Sequence, residues 1–200
     1  MKKKYILLLM LLLIIIICLI YRNNNKEDID IKVKYPIYKY HKLNKVITKN
    51  INYYLKDNID NYYFLYIDYK DYEYKEYISI VLYISYFTGG AHPNYEIKTI
   101  NYNKSSNKFI DIDDLINRDK DILNKLSIYS REYFSNNDMF NDKVVFDMMI
   151  DGTKSIKDNY KYFNITSDGL IIYFNRYQIA PYYYGDYSIT IPYNYLDLSI

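Results

Sequence analysis

Tyr86-Phe87-Thr88-Gly89-Gly90-Ala91-His92-Pro93 is the stretch that decides how this chain is read. It separates two runs rich in aromatic and β-branched residues, Tyr77–Tyr86 and Tyr95–Tyr102, and so reads as the connection between two strands. It holds two of the five glycines, one of the four prolines and one of the two histidines. In a chain so poor in turn formers, clustered Gly-Gly and Pro mark a backbone path that a Cβ would obstruct. His92 is the sharpest single candidate for chemistry. Its imidazole suits acid–base work or a hydrogen bond to a ligand, beside glycines that permit close approach. The competing reading is that His92 pins the loop through a backbone hydrogen bond.

Upstream of this loop, Tyr62–Tyr72 and Lys75–Phe87 read as paired strands. Leu43, Val46, Ile47, Ile51, Leu55 and Ile59 repeat at three- and four-residue steps, one apolar helical face between about His41 and Ile59. Ile29–Tyr35 alternates as a half-buried strand does, and Pro36 confines it to an edge or ends it. Downstream, Asn103–Asn107 is a polar turn and Phe109–Ile112 is extended. Asp113 and Asp114 are candidate helix starters, and Ile122, Leu123, Leu126, Tyr129 and Tyr133 continue at helical spacing. Asp138–Ile150 leans helical. Tyr162–Ile165 and Leu170–Phe174 flank Ser167-Asp168-Gly169 as a hairpin, and Tyr187–Ile191 alternates until Pro192. The order predicts an α+β fold: a mostly antiparallel sheet packed with two or three helices, spanning 29–200 with halves at 29–107 and 108–200.

Ahead of this domain, Ile6 to Ile20 carries no charged or strongly polar side chain and follows Lys2-Lys3-Lys4. That is the layout of a signal sequence or signal anchor with its positive end in the cytoplasm. Tyr21-Arg22-Asn23 offers no small-residue cleavage site. The expectation is therefore an uncleaved single-span membrane helix over 1–21, a linker over 22–28, and an extracytoplasmic domain beyond. Removal as a signal peptide and lipidation at Cys18 are the alternatives. Ile15-Ile16-Ile17 puts bulk where lipoprotein processing wants a small residue, so a membrane-buried cysteine is favoured.

The 26 Lys and Arg against 24 Asp and Glu are interspersed, the pattern of a solvated surface. Nucleic-acid binding calls for a basic stripe, and the run at Lys2-Lys3-Lys4 does not provide one, so no nucleic-acid partner is expected. One cysteine allows no internal disulfide. No Cys-x-x-Cys, His-Glu-x-x-His, phosphate loop or Gly-x-Ser-x-Gly is present, so neither metal nor cofactor is expected. Asp111, Asp113 and Asp114 lack the glycine of a calcium loop and read as helix capping. The 30 tyrosines are spread through the whole sequence. Tyr182-Tyr183-Tyr184, a possible stacking face for a sugar or peptide, is therefore read first as core and rim packing.

Four stretches, Phe163–Leu170, Tyr177-Gln178-Ile179-Ala180-Pro181-Tyr182, Gly185 and Ile191-Pro192-Tyr193, stand in that order after Gly89-Gly90-Ala91-His92. Together they resemble an extracytoplasmic bacterial domain family of largely unassigned function. It is the ectodomain type of the anti-sigma factor that serves as a lysozyme receptor, and it occurs as the N-terminal region of some peptidoglycan deacetylases. The resemblance implies binding at the cell surface, to a lysozyme-like protein or wall glycan. The binding set expected is Gly89, Gly90, Ala91, His92, Tyr177, Pro181 and Tyr182, with no catalytic residue assigned. Only Met1–Lys4 stands before the apolar run, so no sigma factor is expected as partner, and deacetylase chemistry belongs to a separate domain. The expected function is a membrane-anchored, single-pass, extracytoplasmic binding or sensing module. The alternative is a peptidoglycan-modifying enzyme using His92 with spatially adjacent carboxylates.

Overall fold

The computed structural model describes residues 12–16, 29–56 and 61–198. Residues 12–16 are helical. The rest of the expected anchor and the linker lie outside the described residues, as does Ile59. Among the described residues, no helix is long and apolar enough to cross a membrane.

Strand β1 (Asp30–Val33) leads to helix α1 (His41–Lys56), then to β2 (Phe64–Tyr74), β3 (Tyr77–Phe87), β4 (Asn94–Asn103) and β5 (Lys108–Ile110). These five strands form one sheet in the order β1-β2-β3-β4-β5, antiparallel except for β1, which runs parallel to β2. Four helices follow: α2 (Ile112–Arg118), α3 (Ile122–Ser135), α4 (Lys143–Gly152) and α5 (Lys157–Tyr160). Strands β6 (Phe163–Ile165), β7 (Leu170–Phe174) and β8 (Tyr187–Ile191) make a second, antiparallel sheet, and α6 (Tyr193–Leu196) closes the order. The α+β class and the antiparallel bias hold. One sheet and two or three helices do not, because period-two alternation reports which face a residue takes and not which strands share a sheet.

Three apolar layers hold the elements together. Leu43, Ile47, Ile51 and Tyr54 of α1 pack on Leu65, Ile80, Leu82 and Tyr102 of the first sheet. On that sheet's opposite face, Val81 and Ile97 meet Tyr173 of β7. Beyond the second sheet, Phe163, Ile172, Phe174 and Ile191 pack on Leu115, Leu126, Phe134 and Met149 of the helices. Each large side chain so buried contributes about 1.5–3 kcal/mol.

The middle layer is the thin one, and polar side chains complete it. β6 pairs only with β7, so its other edge presents backbone groups to the first sheet. Asn101 Nδ2 donates to the Phe163 carbonyl at 2.9 Å, and Ser79 Oγ accepts from the Ile165 amide at 3.0 Å. Asn164 donates to the Ile80 carbonyl at 3.1 Å and accepts from the Tyr173 hydroxyl at 3.0 Å. Asn101, Asn164 and Ser79 are all buried, so each bond satisfies a group that water cannot reach.

Several local readings shift. The β2–β3 turn falls at Lys75-Glu76 rather than two residues earlier, with Lys75 at φ +50. Ile112 opens α2 instead of ending a strand. The cap is Asp111, whose Oδ1 accepts from the amides of Asp113 (2.9 Å) and Asp114 (3.2 Å) while Asp114 accepts from the Asp111 amide. This reciprocal box is the capping role expected of the cluster, one residue group earlier. On α3, the buried face runs through Leu126, Ser127, Ser130 and Phe134, and Tyr133 is exposed.

Candidate functional site

The six residues between β3 and β4 turn through Gly89 (φ +95) and Gly90 (φ +110), conformations that L side chains rarely adopt. This brings His92 beside the segment that follows β7. The His92 ring stacks on Tyr182, with centroids 3.8 Å apart and planes at 21°. Its Nδ1 lies 3.0 Å from the Pro93 carbonyl oxygen, which accepts only, so Nδ1 carries the proton. In the neutral ring Nε2 is then an acceptor, and the Tyr177 hydroxyl, 3.3 Å away, donates to it. The Tyr182 hydroxyl donates to the same Pro93 carbonyl at 2.8 Å. Tyr177 reaches this position from a backbone at φ +66.

Of the seven residues expected at the site, His92, Tyr177 and Tyr182 come together across 85 positions of sequence. Gly89 and Gly90 shape the turn, and exposed Ala91 completes it. Pro181 does not join the cluster. It precedes the 3-10 turn Tyr182–Tyr184, and its carbonyl accepts from the Tyr184 amide at 3.0 Å.

Arg176 is the residue that sequence reasoning missed. Its guanidinium lies 3.6 Å from the Tyr95 ring centroid and 4.5 Å from that of Tyr182, a cation held against two aromatic faces. Asp186 fixes it: Asp186 Oδ1 accepts from the Arg176 amide at 3.1 Å, and Oδ2 lies 3.7 Å from Nε. The available signal was an arginine in a lysine-rich chain, next to a tyrosine already singled out.

Arg176 and Asp186 form one wall of a cleft of about 270 Å³. The other wall is the face of the first sheet that α1 does not cover, with Tyr66, Asp68, Tyr83, Ser85 and Tyr95. The aromatic surface continues along that face, where Phe64 stacks on Tyr66 at 4.8 Å and lies 6.2 Å from Phe87. At the strand margin the Tyr66 hydroxyl donates to Asp30, which also binds Lys32 at 2.9 Å; the Tyr66 bond, ahead of Lys32, holds the Asp30 carboxyl below its usual range. Burial pushes the Tyr83 hydroxyl upward, so it stays protonated and available as a donor. Among the described residues, no group of three or more His, Cys, Asp or Glu is placed to hold a metal ion.

The arrangement offers aromatic faces, hydroxyls and a fixed cation on a shallow groove, features suited to gripping part of a larger ligand. Neither ring nitrogen of His92 is free of a protein partner.

Comparison with known proteins shows what this arrangement is similar to. Residues 113–194, from α2 into α6, match the family described as "Protein of unknown function (DUF3298)". The chain is also 33% identical over 172 residues to "Peptidoglycan-N-acetylmuramic acid deacetylase PdaC" of Bacillus subtilis (strain 168). That match covers 80% of this chain and 36% of the deacetylase, so the chain spans about a third of that relative's length. Among solved structures, a DUF3298 family protein from Pseudomonas aeruginosa PAO1 shares the fold at a TM-score of 0.65 and 18% identity. It covers 84% of this chain and 83% of that one, so the shared fold extends beyond the matched second half. The resemblance read from Phe163–Leu170 and the later motifs is thus to the DUF3298 family and its deacetylase relative.

Proposed function

We propose that this chain is an extracytoplasmic binding module of the cell envelope, held at the membrane by its N-terminal apolar run, whose ligand is wall glycan. The single observation that carries this reading is the convergence of two distant segments on one cleft. His92, Tyr182, Arg176 and Tyr95 stack in sequence along its edge, and aromatic faces with adjacent hydroxyls suit the apolar and polar sides of sugar rings. The name of the deacetylase relative supports a peptidoglycan setting. The groove is too small to engulf a long ligand and suited to one unit of a polymer.

The test is co-sedimentation of the full-length chain, in detergent, with purified insoluble peptidoglycan. Saturable sedimentation that falls about tenfold in Tyr95→Ala and Tyr182→Ala is expected, with no change in the muropeptides released, as read by mass spectrometry. Absence of sedimentation, or sedimentation indifferent to both substitutions, sinks the glycan reading. Saturable capture of a lysozyme-like protein in its place would move the ligand to the protein class. Altered muropeptides that vanish in His92→Ala would establish an enzyme.

A further inference from the structure

Helix α1 presents two unlike faces. Leu43, Ile47, Ile51 and Tyr54 are buried against the first sheet. Lys42, Lys45, Lys49, Asn52 and Lys56 are exposed and follow one another at three- and four-residue steps, with exposed Tyr53 beside Asn52, so they form a single stripe along the outer face. The helix contains no carboxylate. Among the described residues, Lys45, Lys49 and Lys56 make no ion pair, and Lys42 donates to a neutral acceptor, the Asn107 carbonyl, at 2.8 Å. Two grooves of about 370 and 450 Å³ flank the stripe, and Lys49 and Tyr53 line both. Tyr53 stands 71% exposed between the lysines.

This stripe lies close to where the chain enters the domain. Asp30, the first residue of β1, pairs with Phe64, which pairs with Phe87. Tyr54 of α1 reaches Glu96 near the same end of the sheet, so the second half of the helix lies at the entry point. Residues 21–28 alone separate Ile20 from the described Ile29, a reach of roughly 30 Å at full extension. We infer that the lysine stripe of α1 docks on the anionic headgroups of the bilayer that holds the chain. Four cations around an exposed tyrosine match such a surface in charge and in interfacial preference. The cleft of Tyr66, Tyr95 and Arg176 opens on the opposite face of the sheet. Docking through α1 therefore turns the cleft away from the lipid. The inference rests on the membrane-anchor part of the proposed function.

The test uses the full chain reconstituted into vesicles of phosphatidylcholine, with and without phosphatidylglycerol. Flotation after alkaline carbonate extraction reports anchoring alone. Acetylation of individual lysines, read by mass spectrometry, reports docking. Lys45 and Lys49 are expected to label at least about threefold more slowly over the anionic vesicles, with the difference lost at about 0.5 M salt. Lys143, which opens α4, and Lys154, just beyond its end, are expected to label equally over both. Equal labelling of Lys45 and Lys49 on chains that still float overturns the docking and leaves the anchor standing. Chains that do not float overturn the anchor, and the docking with it. Protection of these lysines by soluble polyphosphate over uncharged vesicles, with none from anionic vesicles, overturns the lipid in favour of a soluble polyanion.

Discussion

Gly152 and Gln178 stand closer than any side chain at 152 would permit. A Cβ built on Gly152 falls 1.9 Å from the Gln178 carbonyl oxygen and 2.9 Å from the Ile179 side chain. In return, Gln178 Nε2 donates to the Gly152 carbonyl at 3.0 Å, so the end of α4 and the segment bearing Tyr177 and Tyr182 are fastened together.

Gly152→Ala should therefore destabilise the domain, although alanine in a helix is ordinarily favourable. Forcing the backbones apart costs about 2 kcal/mol or more, which lowers Tm by roughly 4–8 °C in a chain of this size. Gly90→Ala meets no atom within 4 Å and bears only its φ of +110, so its cost is about 1 kcal/mol. Thermal melts followed by circular dichroism check both; equal melts would show that the 152–178 contact relaxes freely.

The Asn164 amide serves three partners at the sheet junction: the Ile80 carbonyl, Asn101 and the Tyr173 hydroxyl. Asn164→Leu leaves those groups buried and unpaired and should cost about 3 kcal/mol by urea unfolding. Ser79→Ala removes only the acceptor for the Ile165 amide and should cost about 1–2 kcal/mol.

Glu96 sits under α1 with the Tyr54 hydroxyl at 2.7 Å, that of Tyr86 at 2.9 Å and Lys98 at 3.3 Å. Burial alone would raise its pKa, but the two hydroxyls and Lys98 outweigh it and hold the carboxyl below its ordinary value of 4.5. A lowered folded-state value adds stability that is complete above pH 4.5 and is lost as pH falls through that lower value. Burial, then Glu96, pushes Tyr86 up to about 12 and Tyr54 upward as well. The Tyr86 share is complete below the ordinary value of 10.0 and is lost as pH rises through its folded value of about 12, and the Tyr54 share persists to higher pH still. Urea midpoints measured against pH should fall at both limits, and Glu96→Gln should flatten the acid limb while costing about 1–2 kcal/mol at neutral pH.

His92→Phe keeps a ring on Tyr182 and gives up both imidazole hydrogen bonds. Glycan sedimentation within about threefold of the parent is expected, against a loss of about tenfold in His92→Ala, because the stack backs Tyr182, on which the Arg176 of the cleft wall rests. A loss in His92→Phe as large as that in His92→Ala would assign the work to the ring nitrogens.

Much of the fold was legible where chemistry is local. Gly169 marked the β6–β7 turn, and a Cβ there would strike the Ile191 carbonyl at 2.1 Å. Leu43, Ile47 and Ile51 marked the buried face of α1. The Lys75-Glu76 turn was displaced because neither residue is a turn former and only the pairing on each side sets its position. Tyr54 was passed over among many tyrosines, yet its hydroxyl fixes Glu96. At the site, His92 and Tyr182 were each visible, but their stacking across the two halves was not. Arg176 was passed over despite its place beside Tyr177, because its nearer aromatic partner, Tyr95, lies on a strand of the first sheet, far away in sequence.

The two walls of the cleft belong to different halves of the chain, and what sets their spacing is the seam of Asn101, Asn164 and Ser79. Grease would let the sheets slide by fractions of a residue at little cost, whereas directed amide bonds accept only one alignment. The seam thus works as a keyed joint, and the gauge of the groove is machined at a distance from anything a ligand touches. Variation along that joint offers a lineage a way to retune what it grips while every contacting side chain stays the same.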